Sequence, residues 1–277
     1  MSDFVQQQNS ICDFSSSDSW VILSPIEQSI KRKIEAVGTP LKDWDIQINY
    51  GIKTGFNDAF IISTEKRNEI LSNCKTEDER KRTVELIRPI LRGRDIKRYG
   101  YVDNGLYLIN THNGIRGRIP RIKIEDYPAV KAHLDQYWDR IATRADKGDT
   151  PYNLRNCAYL EDFSRPKIVY PETTQGAYFA FDDKGLYIDK TCFMLITDDA
   201  EYLQHTLSSR LFEFAYKRIF SSVELGEHGY QYNKHALVKL PVIKPHKSFI
   251  LDGNNVDEQI YKLYGITNEE IRVIESP

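Results

Sequence analysis

Residues 49–60 read NYGIKTGFNDAF, a loop punctuated by two glycines that leads into apolar residues. Glycine lets the backbone approach a neighbouring group closely, and Lys53 and Thr54 offer hydrogen-bond donors between the glycines. The spacing excludes a nucleotide-binding P-loop, because that motif places lysine directly after its second glycine, whereas Lys53 precedes Gly55. The loop therefore predicts either phosphate contact or a tight turn between strands.

A second dense stretch, IRPILRGRDIKRY, occupies residues 87–99. It places five basic residues and one acid within the eleven positions from Arg88 to Arg98. Arginine can hold a phosphate or the edge of guanine through two parallel hydrogen bonds. Asp95 can orient one of these arginines or take part in a buried salt bridge. The stretch therefore indicates either an anion-binding surface or a structural network.

The composition is that of an ordinary globular protein, with 40% hydrophobic and 28% charged residues among 277. Four widely separated cysteines without a CxxC pair disfavour a zinc site or a disulfide framework and favour reduced thiols. No apolar run approaches the roughly 18 residues of a membrane span, and the polar, acidic N-terminus does not match a secretory signal. We therefore expect a cytoplasmic protein without membrane association.

The net charge of −2 is unevenly distributed along the chain. Residues 1–19 hold three acids and no Lys or Arg, and residues 249–277 hold six acids against two bases, which leaves a net charge of +5 for residues 20–248. Residues 81–123 alone carry eleven Lys or Arg against three acids. Such a local basic zone in a near-neutral protein suits contact with phosphates, and a solvated charged face has the same composition.

Helix and strand patterns are intermixed along the chain. Ser24, Pro25 and Glu27 predict a capped helix that ends near Val37, and a second capping box occurs near the C-terminus. Apolar residues at three- and four-residue spacing predict one helix over residues 127–141 and another over 203–214. The predicted strands cover residues 45–50, 59–63, 106–110, 167–170, 177–181 and 192–196.

This order of elements has no regular alternation of strand and helix. It favours an α+β fold of mixed, twisted sheets with packed helices and long polar loops over a doubly wound sheet. We expect a disordered segment at residues 1–19, a main domain at residues 20–248 and an acidic helical tail, packed on that domain, at residues 249–277.

Several separated motifs carry a family resemblance. Besides the two stretches above, they are Trp44-Asp45, the segment RPKIVYPE at residues 165–172, FDDKG at residues 181–185, Ser221-Ser222 ahead of Leu240-Pro241, and Tyr261 with Tyr264-Gly265-Ile266-Thr267. In this order, residues 20–274 resemble the TaqI-like C-terminal specificity domain, the target-recognition module of restriction-modification enzymes and adenine methyltransferases. The glutamates and histidine at residues 224–228 depart from a plainer glycine-rich stretch, which leaves the base contacts there open.

The resemblance implies that residues 20–248 recognise one short, asymmetric site in double-stranded DNA. A methyltransferase or nuclease domain, N-terminal in the same type IIG-like polypeptide or a separate subunit, would then flip out an adenine and methylate N6, or cut the DNA. The resemblance places S-adenosylmethionine and Mg²⁺ on those catalytic domains, with no cofactor and no metal in this chain. It also implies a prokaryotic cytoplasm.

Candidate DNA contacts are the polar and basic side chains of these stretches. Phosphate contacts would set the register on the duplex, and base-edge contacts would set the sequence. The amides of Gln231 and Asn233 are of the kind that reads adenine. The candidates are Lys53, Thr54, Asn57, Arg92, Arg94, Lys97, Arg98, Arg116, Arg118, Arg144, Lys147, Tyr152, Arg155, Ser221, Ser222, Gln231, Asn233 and Lys234.

The sequence does not indicate catalysis by this chain itself. An adenine methyltransferase needs an Asn/Asp-Pro-Pro-aromatic motif, and the chain has no Pro-Pro dipeptide. Asp162, Asp182 and Lys184 match a nuclease pattern only loosely. Three alternatives stay open: a nuclease or methyltransferase in its own right, a protein-docking module of a restriction system, and a stand-alone specificity subunit in the style of type I systems.

Overall fold

The computed structural model describes residues 23–220, 224, 225, 229–245, 251 and 253–276. Contacts between Cα atoms divide the chain into two compact units. We call them the terminal unit, which comprises residues up to 47, Glu172–Phe179 and residues from 197 onward, and the central unit, which comprises Ile48–Pro171 and Ala180–Ile196. The predicted disordered segment lies outside the described residues. Within those residues, no helix has the length and apolar character needed to cross a membrane.

Helices and short strands alternate irregularly, so the fold belongs to the mixed α+β class that the sequence predicts. The described α-helices are α1 (Pro25–Val37), α2 (Asn57–Phe60), α3 (Thr64–Ser72), α4 (Glu77–Leu86), α5 (Pro128–Asp135), α6 (Trp138–Thr143), α7 (Ala200–Ser208), α8 (Arg210–Ala215), α9 (Lys234–Leu237), α10 (Val256–Leu263) and α11 (Asn268–Ile274). The described strands are β1 (Thr39–Pro40), β2 (Gln47–Tyr50), β3 (Ile61–Ser63), β4 (Ile87–Leu91), β5 (Ile96–Lys97), β6 (Gly100–Tyr101), β7 (Leu106–Ile109), β8 (Lys167–Pro171), β9 (Thr173–Thr174), β10 (Ala180–Asp182), β11 (Tyr187–Ile188), β12 (Cys192–Ile196), β13 (Glu224–Leu225), β14 (Gly229–Gln231) and β15 (Pro241–Val242).

The central unit is built on two four-stranded sheets with the orders β10-β8-β12-β2 and β11-β4-β7-β3. Strands β8 and β12 are buried along their whole length and pair antiparallel, with Phe193 opposite Tyr170 and the two rings stacked at 5.4 Å. In the second sheet, β11 pairs with β4 in parallel, and β7 pairs antiparallel with both β4 and β3. The buried apolar residues of these strands form the core on which the polar loops of the central unit are mounted.

A buried ion pair joins strands β8 and β10 of the first sheet, and its lysine also binds the turn that precedes β8. Lys167 and Asp182 are both completely buried, and the Lys167 ammonium donates to Asp182 Oδ2 at 2.5 Å and to the Phe163 carbonyl oxygen at 2.6 Å. Burial lowers the pKa of Lys167, and Asp182 opposes this shift. Asp182 also accepts the backbone N–H groups of Lys184 and Leu186, each at 2.9 Å. Asp182 therefore anchors the turn that connects β10 to β11.

The terminal unit contains the two predicted capping boxes, and both are confirmed. Ser24 and Glu27 cap α1, and Thr267 and Glu270 cap α11. Its described strands form the small sheets β1-β15 and β13-β14-β9. Glu270 is buried and also accepts hydrogen bonds from α1, so the second capping box holds the two helices together.

The single helix predicted over residues 127–141 is wrong. Helix α5 ends at Asp135, and Tyr137 interrupts it with φ −111° and ψ 14° before α6 begins. This break allows the Tyr137 ring to pack at 6.0 Å from Phe56 and 5.4 Å from His133. The apolar periodicity correctly predicts helix on both sides of Tyr137, but the packing of the Tyr137 ring divides that helix in two.

Other predicted elements are shifted or divided. The helix over 203–214 is divided at Ser209, whose extended backbone and side chain cap α8. Residues 57–60 form helix α2, so the strand predicted at 59–63 begins only at Ile61. The Ala59 carbonyl oxygen binds His133 Nε2 at 3.0 Å instead of a strand partner. The strand predicted at 177–181 begins only at Ala180, because the Phe179 carbonyl oxygen accepts bonds from α7.

Candidate nucleic-acid interface

The glycine loop at residues 51–56 is held against β11 and β12. The backbone N–H of Gly51 donates to the Cys192 carbonyl oxygen at 2.9 Å, and that of Ile52 donates to the Ile188 carbonyl oxygen at 2.7 Å. A Cβ atom on Gly51 would lie 1.9 Å from the Asp189 carbonyl oxygen, so glycine is required for this approach. The first glycine of the motif therefore serves the close packing of the loop on the sheet.

The polar side chains of this loop lie in two environments. Thr54 is 2% exposed, and its hydroxyl donates to Asn57 Oδ1 at 2.5 Å. Lys53 and Asn57 are exposed, and Lys53 has no polar partner among the residues that the structure describes. Thr54 therefore shapes the loop, whereas Lys53 presents its ammonium group to solvent.

The arginine-rich turn at residues 92–98 is hydrogen-bonded to residues 188–192, the segment that also binds the glycine loop. The backbone N–H of Gly93 donates to Thr191 Oγ1 at 2.9 Å, and that hydroxyl donates to Asp189 Oδ1 at 2.5 Å. The backbone N–H of Asp189 donates in turn to the Leu91 carbonyl oxygen at 3.0 Å. Two stretches that are far apart in the sequence are therefore brought together on residues 188–192.

Within this turn, Arg92 is captured by Asp95. The Nε and Nη2 atoms of Arg92 donate to the two carboxylate oxygens at 3.1 Å each, and its backbone N–H adds a bond of 2.9 Å. Burial opposes the ionisation of Asp95, but the hydrogen bonds from Arg92 and Asn104 outweigh it and hold the pKa of Asp95 below its usual value. Of the two interpretations of Asp95, the buried salt bridge matches the geometry.

The other cations of the turn are more accessible. Arg94 is exposed, and its guanidinium has no partner among the described residues. Lys97 is exposed and donates to the Arg94 carbonyl oxygen at 2.9 Å. Arg98 is half-buried, with its guanidinium 5.9 Å from the Tyr99 ring centroid. Arg94 and Lys97 are therefore the cations that the turn offers to a ligand.

Arg144 lies inside the long polar loop at residues 144–155 and is 7% exposed. Its Nε donates to the Asp146 carbonyl oxygen at 3.1 Å, and Nη2 donates to the Asn153 carbonyl oxygen at 2.5 Å. The guanidinium packs 4.3 Å from the Phe60 ring centroid, and burial lowers the pKa of Arg144 to about 10. A Cβ atom on Gly55 would lie 3.0 Å from Arg144 Cδ. Arg144 therefore clamps the polar loop to the glycine loop from the inside.

The other predicted contacts of the polar loop have polar partners at the surface. Lys147 Nζ donates to a carbonyl oxygen of α6 at 2.6 Å. The Tyr152 hydroxyl donates to Asp135 at 2.6 Å, and Arg155 forms an exposed ion pair with Asp146 at 3.0 Å. These contacts are accessible to solvent and fix the outline of the loop. Arg155 retains the exposure that a phosphate contact requires.

Residues 115–119 form a tight hairpin that carries two exposed arginines at its tip. The backbone N–H groups of Ile115 and Ile119 each donate to the carbonyl oxygen of the other at 2.9 Å. Arg118 forms an exposed ion pair with Glu161, and Arg116 has no polar partner within the described ranges. The hairpin therefore projects two guanidinium groups on a short, hydrogen-bonded support.

Two clefts in the central unit lie between these loops. The larger, of about 780 Å³, is lined by residues 113–121, Asp149 and residues 156–158. The smaller, of about 390 Å³, is lined by residues 50–53 and 155–159. Because both share residues 156–158, they form one concave surface, which we call the basic face. Its cations are Lys53, Arg116, Arg118, Arg121 and Arg155.

The remaining predicted contacts belong to the terminal unit. Gln231 lies in β14 and donates to Glu172 Oε1 at 3.1 Å. Asn233 Oδ1 caps α9 by accepting a backbone N–H at 2.8 Å, and Lys234 is exposed. The amide of Asn233 thus has a local structural partner. Ser221 and Ser222 lie outside the described residues.

Sequence reasoning missed two contributors to this surface. Residues 188–192 hold the glycine loop and the arginine-rich turn. Their only signal in the sequence is the polar triplet Asp189-Lys190-Thr191 between two apolar runs, which indicates no more than a connection between strands. Asn156 lies in both clefts, but in the sequence it is one of several polar residues that end a loop.

Comparison with known protein families identifies one family for this chain. The TaqI-like C-terminal specificity domain family matches residues 88–242. The type II methyltransferase M.BanIII of Aneurinibacillus aneurinilyticus is 23% identical over 158 residues, which cover 54% of this chain and 25% of that protein.

Two solved structures share the fold. The type IIL restriction-modification enzyme MmeI, solved in complex with DNA, superposes with a TM-score of 0.55 at 14% identity, over 85% of this chain and 35% of that one. The type IIG restriction endonuclease BpuSI gives a TM-score of 0.50 at 13% identity, over 86% of this chain and 28% of that one. The chain thus spans about a quarter to a third of the length of these proteins.

Proposed function

Because this chain belongs to the TaqI-like C-terminal specificity domain family, we propose that it recognises a short, asymmetric sequence in double-stranded DNA. Cations of the basic face would contact phosphates and set the position of the protein on the duplex. Side chains between those cations would contact base edges and select the sequence.

The observation that carries this proposal is the availability of the cations on the basic face. Lys53 and Arg116 have no polar partner in the described part of the chain. Arg118, Arg121 and Arg155 are paired, but both partners of each pair are exposed. Exposed pairs of this kind contribute roughly 0–1 kcal/mol, so phosphate can replace the carboxylate at little cost.

We also propose that catalysis belongs to another domain. That domain would be an adenine-N6 methyltransferase or a nuclease, N-terminal in the same polypeptide or a separate subunit, and it would bind S-adenosylmethionine and Mg²⁺. The similarity to a type II methyltransferase and to two restriction enzymes supports this division. The prokaryotic cytoplasm is the corresponding location.

Selection from a randomised duplex library at two salt concentrations, followed by sequencing, tests the DNA-binding function of the purified chain. We expect one short motif to be enriched and the affinity to fall steeply with salt, because bound cations displace counterions from the DNA. Lys53→Ala/Arg116→Ala should weaken binding at low salt. Arg80→Ala/Lys81→Ala removes the same charge from an exposed part of α4 that lines neither cleft, and it should not.

Other outcomes separate the alternatives. Binding that depends on salt but enriches no motif would mean that base reading requires the catalytic partner. Absence of DNA binding at both salt concentrations would favour a protein-docking module. Metal-dependent cleavage or cofactor binding by the purified chain would show that it is an enzyme in its own right, and its gene neighbourhood would identify a stand-alone specificity subunit.

A further inference from the structure

We propose that Asn156 is a specificity-determining residue, whose amide reads the major-groove edge of one adenine between the two clefts of the basic face. This inference rests on the proposed function, because it assumes that the basic face binds a DNA duplex. It adds a residue that contacts a base to the cations that contact phosphates.

The position of Asn156 is the first reason. Asn156, Cys157 and Ala158 line both clefts and therefore separate them. Asn156 is exposed. Its side chain is the amide of this shared ridge, which offers both a strong donor and a strong acceptor to a base edge, whereas the Cys157 thiol is weak in both roles.

The distribution of charge around this ridge is the second reason. Arg116, Arg118 and Arg121 line the larger cleft. Lys53 and Arg155 line the smaller one. In a duplex, two phosphate backbones border each groove, and the base edges lie between them. A side chain between two groups of cations therefore faces base edges when those cations contact the two backbones.

The orientation of the amide is the third reason. The backbone N–H of Asp149 donates to Asn113 Oδ1 at 2.9 Å, which identifies the other atom of that amide as the donor Nδ2. Asn113 Nδ2 donates to Asp149 Oδ1 at 3.0 Å and to Asn156 Oδ1 at 2.5 Å. Asn156 Oδ1 therefore faces Asn113, and Asn156 Nδ2 is directed away from it without a partner among the described residues.

The chemistry of this amide selects adenine. Asn156 Nδ2 supplies a donor, and the second lone pair of Oδ1 supplies an acceptor on the same side chain. Adenine presents the matching pair in the major groove, the N7 acceptor and the N6 donor, whereas guanine presents two acceptors. Guanine would leave Asn156 Oδ1 opposite an acceptor, so it is the less favourable purine.

The test compares Asn156→Ala with the wild-type chain in the same library selection. We expect the preference for adenine at one position to fall about 10- to 100-fold, the range for one bidentate base contact. Affinity for unrelated duplexes should stay within about twofold, because phosphate contacts are retained. Asn68→Ala is the matched control, since Asn68 is an exposed amide on α3 that lines neither cleft. The control should enrich the wild-type motif.

A modified base in the DNA provides a second test of the inference that does not rest on the Asn156→Ala variant alone. At the position that loses its preference, 7-deazaadenine deletes the N7 acceptor and leaves base pairing intact. It should weaken the wild-type complex and leave the complex of Asn156→Ala unchanged. An equal loss in both proteins, or a motif that Asn156→Ala enriches unaltered, overturns the inference while DNA binding by the wild-type chain still supports the proposed function. A wild-type chain that binds no DNA overturns both.

Discussion

The arginine-rich turn at residues 92–98 and the hairpin at residues 115–119 have similar local sequences, Arg-Gly-Arg in each, yet they use their arginines differently. In the turn, Arg92 is bound by a buried aspartate three residues later. In the hairpin, both arginines are exposed, and the paired one, Arg118, has only an exposed glutamate as its partner.

This difference shows that the density of basic residues does not measure the positive charge available to a ligand. In the turn, the buried Asp95 pairs with Arg92, so the charge of Arg92 is not available to a ligand. The hairpin has no acid within its own five residues. The hairpin is therefore the region of higher expected contribution to DNA binding, and the turn is the region of higher expected contribution to stability.

The largest expected effect comes from Lys167, whose charge is completely buried and is paired with Asp182 inside the protein. Lys167→Met leaves Asp182 as an unpaired buried charge and should lower the free energy of unfolding by about 3–5 kcal/mol. Urea denaturation measures this change. Lys190→Met, the same substitution at an exposed lysine of the central unit, should stay within about 0.5 kcal/mol of wild type. Equal effects of the two substitutions would contradict the role given to burial.

Asp95→Asn should have the next largest effect, about 2–3 kcal/mol at neutral pH, because it removes charge-assisted bonds to Arg92. The pKa of Asp95 is lowered in the folded state, so its stabilisation is complete above the pKa of an unfolded aspartate, about 3.9, and is lost as pH falls through the folded-state pKa. Unfolding measured from pH 7 to pH 2 should show the difference between the variant and wild type decreasing once pH falls below about 3.9. Asp183→Asn, at an exposed site, is the control.

Arg116→Ala and Arg92→Ala test the comparison directly. Arg116→Ala should reduce the dependence of log affinity on log salt by about 0.9, the value for one lost phosphate contact, and change stability by less than about 0.5 kcal/mol. Arg92→Ala should instead lower stability by about 1–3 kcal/mol, because it leaves buried Asp95 without its main partner. A salt titration of binding and a denaturation curve for each variant would separate the two roles, and the reverse pattern would refute them.

The smallest effect is expected from Glu161→Gln, which releases Arg118 from its exposed ion pair. Affinity for DNA should rise, by less than about fivefold, because exposed pairs contribute at most about 1 kcal/mol. Glu125→Gln changes the same charge on the same unit without a described partner and serves as the control. A loss of affinity in Glu161→Gln would mean that the pair holds Arg118 in its binding position.

Local features of the fold could be predicted from the sequence. The capping boxes at Ser24 and Thr267 depend on residues three positions apart, and β12 coincides with the predicted strand because a five-residue apolar run is buried on both faces. The two motif stretches belong to one family resemblance in the sequence, and in the structure both are held by residues 188–192.

What could not be predicted depends on partners that are distant in the sequence. Thr54 and Arg144 were expected to reach DNA, but both are buried, and nothing near Arg144 in the sequence shows that Phe60 will lie against it. The break at Tyr137 follows from packing on Phe56, and apolar spacing contains no information about it. The position of Asn156 between two clefts depends on how residues 50–53 and 113–121 fold around it, and its local sequence contains no signal of this position.

The attachment of both motif stretches to residues 188–192 has a consequence for building chimeras between relatives. The glycine loop and the arginine-rich turn each depend on a backbone or hydroxyl group of that segment. A graft that transfers only the loop or only the turn would place it against residues 188–192 of another protein. The hydrogen bonds of that segment would then fit a different loop or turn. The transplantable block is therefore discontinuous in sequence and comprises residues 49–57, 91–95 and 187–192 together.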